Sequence, residues 1–572
     1  MRHSNHKFHS QSFVFILACA LALPVNGFAQ QPAPAEQVPA HAAVKEKETS
    51  MYADFFDKNV YDRGAQWFYI PRTIRRILGI KRPALNVNIY DEIPDTSFFA
   101  NRIGRSDMTA EEIISGPERT GGPDTSGQWL ITKGKFEGIT PGFFIKDAQG
   151  NEYLIKFDPP GYPELSSGAE AIASRIFYAY GFNVPQYTVC YFDPKILTVW
   201  EDATYYGKSG FKKKLTLERV MESLENIDRT ENGLIRCSAS LKVEGIYKGP
   251  MSLDGYRKED PQDFFRHRSM REIRTLPVFA SWVNNHDIRK GNTLSTWITE
   301  DGGGYLKHYF IDFGSSFGSA GDRVKDLTFT HEFFLDYGSI IWQTATLGLL
   351  RRDWDKRWEE NNPKVKYPAA GYFDNLYFIA DRWKGEIPHY AFDDMTYGDA
   401  FWAAKIVMSL KPEVLRQIMK VGQYTNTEAE DYIYNVLLER QKLIGQTWFS
   451  KVTPLDDFVF RSTGQGNVQV EFNDLELLYN LTTETPQYRY KIVQKSPKDK
   501  ESIVQGHTNF SGSPLDLNLG AFKSFGELNV KIQKLNPKTG KWNPPVVLTV
   551  VYDSSKDEYA LAGIWHADKA KK

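Results

Sequence analysis

The sequence predicts an α+β protein of two lobes, a small β-rich one followed by a mostly helical one, with a β-sandwich at the C-terminal end. Three observations predict it. Between 129 and 158 short alternating runs are broken by glycines and turn residues; from about 331 to 450 apolar residues recur at helical spacing; after Pro454 alternation returns. At 572 residues the chain exceeds what one hydrophobic core serves, so two or more domains are expected. Aromatic residues, 14% of the chain, recur throughout the region after residue 50, which fits large filled cores. With 70 Lys and Arg against 71 Asp and Glu, no whole-molecule charge favours nucleic acid as a partner.

Arg2 and Lys7 precede an apolar run over 13–25 and the small residues Gly27 and Ala29, the layout of a secretory signal peptide over 1–29. The run is shorter than the roughly 20 residues of a bilayer span. No later stretch approaches that length, so the expectation is export to the periplasm or the extracellular space with no transmembrane anchor after signal removal. Ile16-Leu17-Ala18-Cys19 offers a lipoprotein reading, ranked below simple export because the apolar run continues past Cys19. Removal of the signal leaves Cys190 and Cys237, either one disulfide or two buried thiols. Residues 30–50 hold too few apolar side chains to offset the entropy of ordering and read as a disordered linker. Residues 51–128 carry a basic helix over 72–80 after Pro71 and read as an N-terminal extension that packs on the next domain rather than on a membrane.

The next domain spans 129–450, an N-lobe over 129–250 and a C-lobe over 251–450. Three antiparallel strands are expected between 129 and 158, the last over 152–157, then a helix over 167–180 closed by Gly181, and strands over 186–192 and 196–200. A polar, Lys-rich interval over 201–232 separates these from a strand over 234–247. A helix over 269–283, despite Pro277, runs into the polar loop Asn284-Asn285-His286-Asp287. Strands over 293–298 and 305–311 follow, with Asp312 at the end of the second. Helical periodicity is clear over 398–408, 412–420 and 429–448. Strands over 458–461, 468–472, 488–493, 527–533 and 546–552 make 455–572 a separate β-sandwich.

Four polar features, in order across about 160 residues, match what phosphoryl transfer requires: a cation for phosphates, groups that hold metal, and a carboxylate near the attacking hydroxyl. Lys156 lies in the alternating strand Tyr153-Leu154-Ile155-Lys156-Phe157. Glu170, fourteen residues on and in the first turn of the next helix, is placed to fix that ammonium. Asp287 and Asn292 share a loop five positions apart, so that one turn presents a carboxylate to a hydroxyl and an amide oxygen to a metal; Arg289 between them is placed to neutralise the moving phosphoryl group. Asp312 ends an apolar strand, where a carboxylate is costly unless a cation such as magnesium satisfies it. Gly134, Gly138 and Gly142, around Lys133 and Lys135, are the candidates for covering phosphates and form no regular glycine-rich loop.

These residues resemble the protein kinase-like superfamily. Tyr309-Phe310-Ile311-Asp312-Phe313-Gly314-Ser315-Ser316-Phe317-Gly318 is similar to the metal-binding segment of phosphatidylinositol 3- and 4-kinases. His286-Asp287 through Asn292 is similar to the catalytic loop shared by those enzymes, the HipA toxin kinases and aminoglycoside phosphotransferases. The resemblance, over about 129–450, implies a bilobal kinase-like fold that uses ATP and Mg²⁺ or Mn²⁺. It implies that Lys156 binds phosphate, Glu170 orients it, Asp287 is the catalytic base, and Asn292 and Asp312 hold the metal. No regular Gly-x-Gly-x-x-Gly loop precedes Lys156 and no Ala-Pro-Glu segment follows Asp312, which implies an atypical member. Three functions fit: a kinase acting on an unidentified protein, lipid or small-molecule acceptor, an inactive kinase-like binding module with 455–572 as a protein-recognition unit, or a nucleotidyl (AMP) transferase using the same site.

Overall fold

The computed structural model describes residues 69–568, with Tyr61 and Ala65, except for 107, 136–141, 207–210, 258–262, 302, 335, 353, 355, 357–364 and 496–500. The signal-peptide and linker readings of 1–50, and Gly138, lie outside the described residues. The N-terminal extension carries α1 (Ile70–Leu78) and α2 (Ala110–Ser115), the latter started by a reciprocal capping box between Thr109 and Glu112.

The alternating segment folds as β1 (Trp129–Lys135), β2 (Gly142–Lys146) and β3 (Glu152–Lys156), antiparallel in that order. Asp147 fixes the β2–β3 turn, its Oδ1 accepting the amides of Gln149 and Asn151 at 3.1 and 2.7 Å. Tyr153, Ile155 and Phe157 enter a core with Trp129, Phe143 and Phe192, which turns Lys156 to the opposite face. On that face lies α3 (Leu165–Tyr180), almost wholly buried. Adding β4 (Tyr187–Phe192), β5 (Leu197–Tyr206), β6 (Lys212–Lys214) and β7 (Ile235–Leu241) gives a seven-stranded sheet in the order β4-β7-β3-β2-β1-β5-β6.

Several expectations need correction here. The interval 201–232 is not a mere separator: it holds the end of β5, β6 and α4 (Leu217–Ser223), and Leu215, Val220 and Leu224 fill the N-lobe core. The strand expected over 234–247 is two, β7 and β8 (Ile246–Tyr247), in different sheets. The break falls at Gly245, whose φ of 88° suits glycine and where a Cβ would lie 2.5 Å from the Trp297 carbonyl oxygen. The helix expected over 269–283 stops at Thr275 and restarts, as α5 (Arg271–Arg274) and α6 (Leu276–Val283), because Pro277 is tolerated only in a first turn.

β8, β9 (Thr293–Glu300) and β10 (Gly303–Phe310) form a three-stranded sheet. The helical lobe follows with α7 (Tyr337–Ala345), α8 (Tyr390–Asp394), α9 (Tyr397–Ser409), α10 (Pro412–Met419) and α11 (Thr427–Phe449). Between 346 and 389 the described chain runs mainly as turns and bends, so the helical reading from 331 fails there; Gly348, Pro368, Gly371, Gly385 and Pro388 interrupt that interval. Beyond Pro454, the sheets β11-β12-β15 and β14-β13-β16-β18-β19 share a core of residues such as Leu455, Val470, Ile492, Leu517, Val530 and Leu548. That is the expected β-sandwich, built from β11 (Leu455–Gly464), β12 (Asn467–Asp474), β13 (Tyr488–Lys495), β14 (Glu501–Phe510), β15 (Leu515–Asn518), β16 (Glu527–Asn536), β17 (Lys541–Trp542), β18 (Val546–Asp553) and β19 (Glu558–His566).

Buried charge ties the parts together. Arg271 reaches Asp91 of the extension at 2.7 Å and Asp399 of α9 at 3.0 Å, while His566 of the sandwich meets the other Asp91 oxygen at 2.8 Å. Burial alone would push the Asp91 carboxyl up; Arg271 and His566 instead hold it well below the usual carboxylate range. Arg236 of β7 joins the lobes: its Nε donates to Ser167 Oγ at 2.8 Å, and its other nitrogens donate to Tyr191 Oη and to the carbonyls of Gly422 and Gln423 beyond α10. Cys190 and Cys237 face each other across β4 and β7 as thiols. Arg236→Ala strips two buried carbonyls and the nearby Asp158 carboxylate of their cation, so urea unfolding should show a loss of about 3–5 kcal/mol.

Candidate active site

Lys156 ends β3 opposite Gly142 on one side and Ser238 on the other. Its Nζ lies 2.6 Å from Glu170 Oε1 and 2.9 Å from Asp312 Oδ1, so sheet, helix α3 and the end of β10 converge on one ammonium. Ser238 Oγ donates to the remaining Glu170 oxygen at 2.7 Å. Glu170 is in the second turn and not in the first, where the sequence suggests it: α3 begins at Leu165, two residues earlier than expected, so the Lys156 ion pair rather than the helix start accounts for this buried carboxylate. Side-chain exposure is 8% for Lys156 and 2% for Glu170 but 37% for Asp312, which makes Asp312 the open side of the triad.

Asp312 is held with φ at 65°, a left-handed conformation that asparagine and aspartate tolerate better than most residues. Its amide donates to Tyr187 Oη at 2.9 Å, and Phe313 behind it is buried against Phe177 and Tyr187. At Gly314, next, a Cβ would lie 2.8 Å from Ser166 Oγ, so a side chain there would require that hydroxyl to move. The β9–β10 register pairs Phe310 with Thr293, and the Ile311 amide donates to the Asn292 carbonyl at 3.1 Å; Asn292 and Asp312 therefore leave the same end of one hairpin.

The loop before β9 starts where Asn284, at φ 57°, ends α6. Arg289 Nε binds Asp287 Oδ1 at 2.6 Å, and Asn292 Nδ2 donates to the Asp287 carbonyl at 2.8 Å, which commits the amide nitrogen and leaves its oxygen for a ligand. Lys325, fully buried, donates to the carbonyls of Asn284, Ser315 and Phe317, stapling the segment after Asp312 to the loop that carries Asp287.

Burial works against the Lys156 charge, yet Asp312 and Glu170 overcome it and hold the ammonium above its ordinary range. Burial likewise opposes the Asp312 charge; Lys156 and Lys135 outweigh it and lower the carboxyl, while Asp287 acts in the other direction. Lys135, at the mouth of the β1–β2 hairpin, is lowered by burial and by the Lys156 charge, with Arg289 adding to the effect. Lys135, Lys156, Glu170, Asp287, Arg289 and Asp312 thus act on one another electrostatically. Gly134 lies beside Lys135 on β1. An oxygen pair from Asp312 and Asn292 suits a magnesium ion that completes its shell with phosphates and water; among the described residues no group of three or more His, Cys, Asp or Glu gathers as a metal site.

Sequence reasoning missed Tyr187, Ser238, Asp158 and Lys325. Asp158 accepts the amides of Glu164, Ser166 and Ser167 and so fixes the start of α3. Its position directly after β3, two residues behind Lys156, was a readable signal. The alternation of Ser238 and Ser240 with Cys237 and Ala239 marked a polar face on β7. Nothing in the sequence near Tyr187 or Lys325 announces a role.

No family model matches the chain, and no curated protein matches it. Among solved structures the chain is similar to the Helicobacter pylori proinflammatory kinase CtkA, at 12% identity and a TM-score of 0.30, over 57% of this chain and 97% of that one. It is also similar to the Golgi casein kinase, at 9% identity and a TM-score of 0.25 over 72% and 95%, and to its Mn/ADP-bound form, at 8% and 0.27 over 72% and 94%.

Because the folded Asp312 carboxyl is lowered from 3.8, its contribution to stability is complete above that pH and is lost as pH falls through the folded value. Urea unfolding should therefore show the stability gap between the wild type and Asp312→Asn narrowing as pH is taken below 3.8, and constant between pH 5 and 7 within about 0.5 kcal/mol.

Proposed function

We propose that this chain is an exported atypical kinase that transfers the γ-phosphate of ATP to a hydroxyl of a protein, lipid or small molecule. The observation that carries the reading is the triad of Lys156, Glu170 and Asp312, closed across two lobes, beside a loop presenting Asp287 and Asn292. A buried lysine held charged by two carboxylates, one of them open to the cleft, is a ready phosphate cation with a metal ligand next to it. Lys156 binds the α and β phosphates while Glu170, fixed by Ser238, sets its direction. Lys135 and the β1–β2 hairpin cover the phosphates. Asp312 and Asn292 would hold Mg²⁺ or Mn²⁺, which would supply charge neutralisation for the phosphates.

In the transfer step the acceptor oxygen bonds to the γ phosphorus as the bridge to the β phosphate breaks, ADP leaves, and the hydroxyl proton passes to the Asp287 carboxylate. Arg289, paired with Asp287 in this structure, is two residues from the base and placed to turn its charge toward the moving phosphoryl group. The likeness of 309–318 to phosphatidylinositol kinases and of 286–292 to HipA and aminoglycoside phosphotransferases supports an atypical class and a non-standard acceptor. The sandwich at 455–572 supplies a surface for a protein partner.

ATP with Mg²⁺ or Mn²⁺ is expected to raise the Tm of the wild type and to leave that of Asp312→Ala unchanged. Asp287→Asn should keep the shift and lose transfer by about 10²–10⁴-fold. With labelled ATP the product should carry the γ label; label arriving only from the α position would make the enzyme a nucleotidyl transferase and end this reading.

A further inference from the structure

We propose that Cys190 and Cys237 are joined as a disulfide in the mature protein, a cross-link that fastens the edge strand of the N-lobe sheet; the inference rests on the export reading, because disulfides persist in oxidising compartments and are rare where thiols are kept reduced.

Register brings the two sulfurs together. β4 and β7 are antiparallel, and Cys190 is the direct Cα partner of Cys237. Opposed residues of such a pair have Cα atoms about 4.5–5.5 Å apart, inside the range of about 4.4–6.8 Å that a disulfide spans. The two Sγ atoms lie 3.1 Å apart. A shift of about 1 Å brings them to bonding distance. Both side chains belong to the N-lobe core, Cys237 fully buried and Cys190 half-buried at its margin. A thiol that only fills a core behaves as a small apolar side chain and needs no second thiol opposite it. Removal of 1–29 takes Cys19 away and leaves no third cysteine to compete.

Exposure sets the order of events. Burial pushes the Cys237 thiol up, so Cys190 is the sulfur that meets an external disulfide, carried by a small molecule or a thiol–disulfide oxidoreductase. The Cys190 thiolate attacks one sulfur of the oxidant; a mixed disulfide forms and one oxidant thiolate leaves. Cys237, deprotonated in turn, attacks Cys190 Sγ and displaces the second oxidant thiolate. Two cysteine thiols are oxidised, their two protons pass to the two leaving thiolates, and one oxidant disulfide is reduced to two thiols.

The link braces the candidate active site from behind. β4 ends the seven-stranded order, next to β7. Strand alternation puts Tyr187, Val189 and Tyr191 on the face opposite Cys190, and Arg236 and Ser238 on the face opposite Cys237. On that face Tyr187 Oη accepts the Asp312 amide, Ser238 holds Glu170, and Arg236 joins Tyr191 to the helical lobe. A bond between β4 and β7 ties together the two strands that carry these contacts without replacing any of them. It also closes a loop whose ends are 47 residues apart, which removes entropy from the unfolded chain.

The full chain is expressed with its own N-terminal segment in a bacterial host, alkylated before lysis and digested with trypsin without reductant. Mass spectrometry then follows 176–195, which holds Cys190, and 237–242, which holds Cys237. In exported protein the two peptides should appear joined, two hydrogens lighter than their sum, and should separate on reduction. Reduced, folded protein treated with oxidised glutathione should give the same joined pair, and this oxidised form should melt at least about 2 °C above the reduced one. Cys190→Ser should show neither the joined pair nor the difference in Tm. Exported protein with both cysteines alkylated, glutathione left as a stable adduct on Cys190, a bond between two chains on a non-reducing gel, or equal melting of the two forms overturns the proposal. Retention of the chain in the cytoplasm would refute export instead, and the glutathione arm then decides the pairing alone.

Discussion

The structure turns on one buried ammonium. Moving Lys156 out of water is costly, and the cost is met only if Glu170 and Asp312 both reach it, from a helix and from a hairpin 156 residues further along the chain. That requirement fixes the end of β3, the second turn of α3 and the end of β10 at a single point. The triad itself carries one excess negative charge on its exposed side, at Asp312, while Lys135 and Arg289 bring positive charge nearby. An arrangement with separated excesses of opposite sign suits a ligand that is itself a polyanion carrying a divalent cation.

Around this point the chain repeats one device. The loops that position the chemistry lack strand or helix partners for their carbonyls, and buried cations supply the donors instead. Lys325 serves Asn284, Ser315 and Phe317; Arg236 serves Gly422 and Gln423; Arg440 serves Ser281 and Asp374. Burial pulls Lys325 well below its ordinary value, with Arg440 adding to it and Asp287 opposing, so this staple is more delicate than an ion pair. The Asp312 segment and the Asp287 loop are one mechanical unit, joined by Lys325 and also by the Asn284 side-chain amide on the Phe317 carbonyl and the Ile311 amide on the Asn292 carbonyl.

Where local pattern governs, the sequence was readable. Alternation placed β1 to β3 and most of β9 and β10, and helical spacing placed α9 to α11. The order of Lys156, Glu170, Asp287, Asn292 and Asp312 was visible because each sits on a predictable element. What was not visible depends on distant packing. The division of 234–247 between two sheets follows from the close approach of Gly245 to Trp297, and the burial of β6 and α4 follows from a few apolar residues in a Lys-rich interval. The strands β14 and β15 went unread because polar residues dominate their exposed faces, and β19 because exposed Ala560 and Trp565 blur its alternation. Tyr187 reaches Asp312 across 125 residues, a contact no periodicity encodes.

The central claim is that a nucleotide's phosphates and their metal lie against Lys156, Asp312 and Asn292. A crystal structure with Mn²⁺ and a non-hydrolysable ATP analogue tests it most directly through the anomalous signal of the metal. The account predicts a peak about 2.0–2.3 Å from an Asp312 carboxylate oxygen, with the Asn292 amide oxygen in the same shell and the phosphates on Lys156. Metal and nucleotide located away from this cleft, or a cleft where Lys156 keeps both carboxylates and no phosphate enters at saturating analogue, would contradict it.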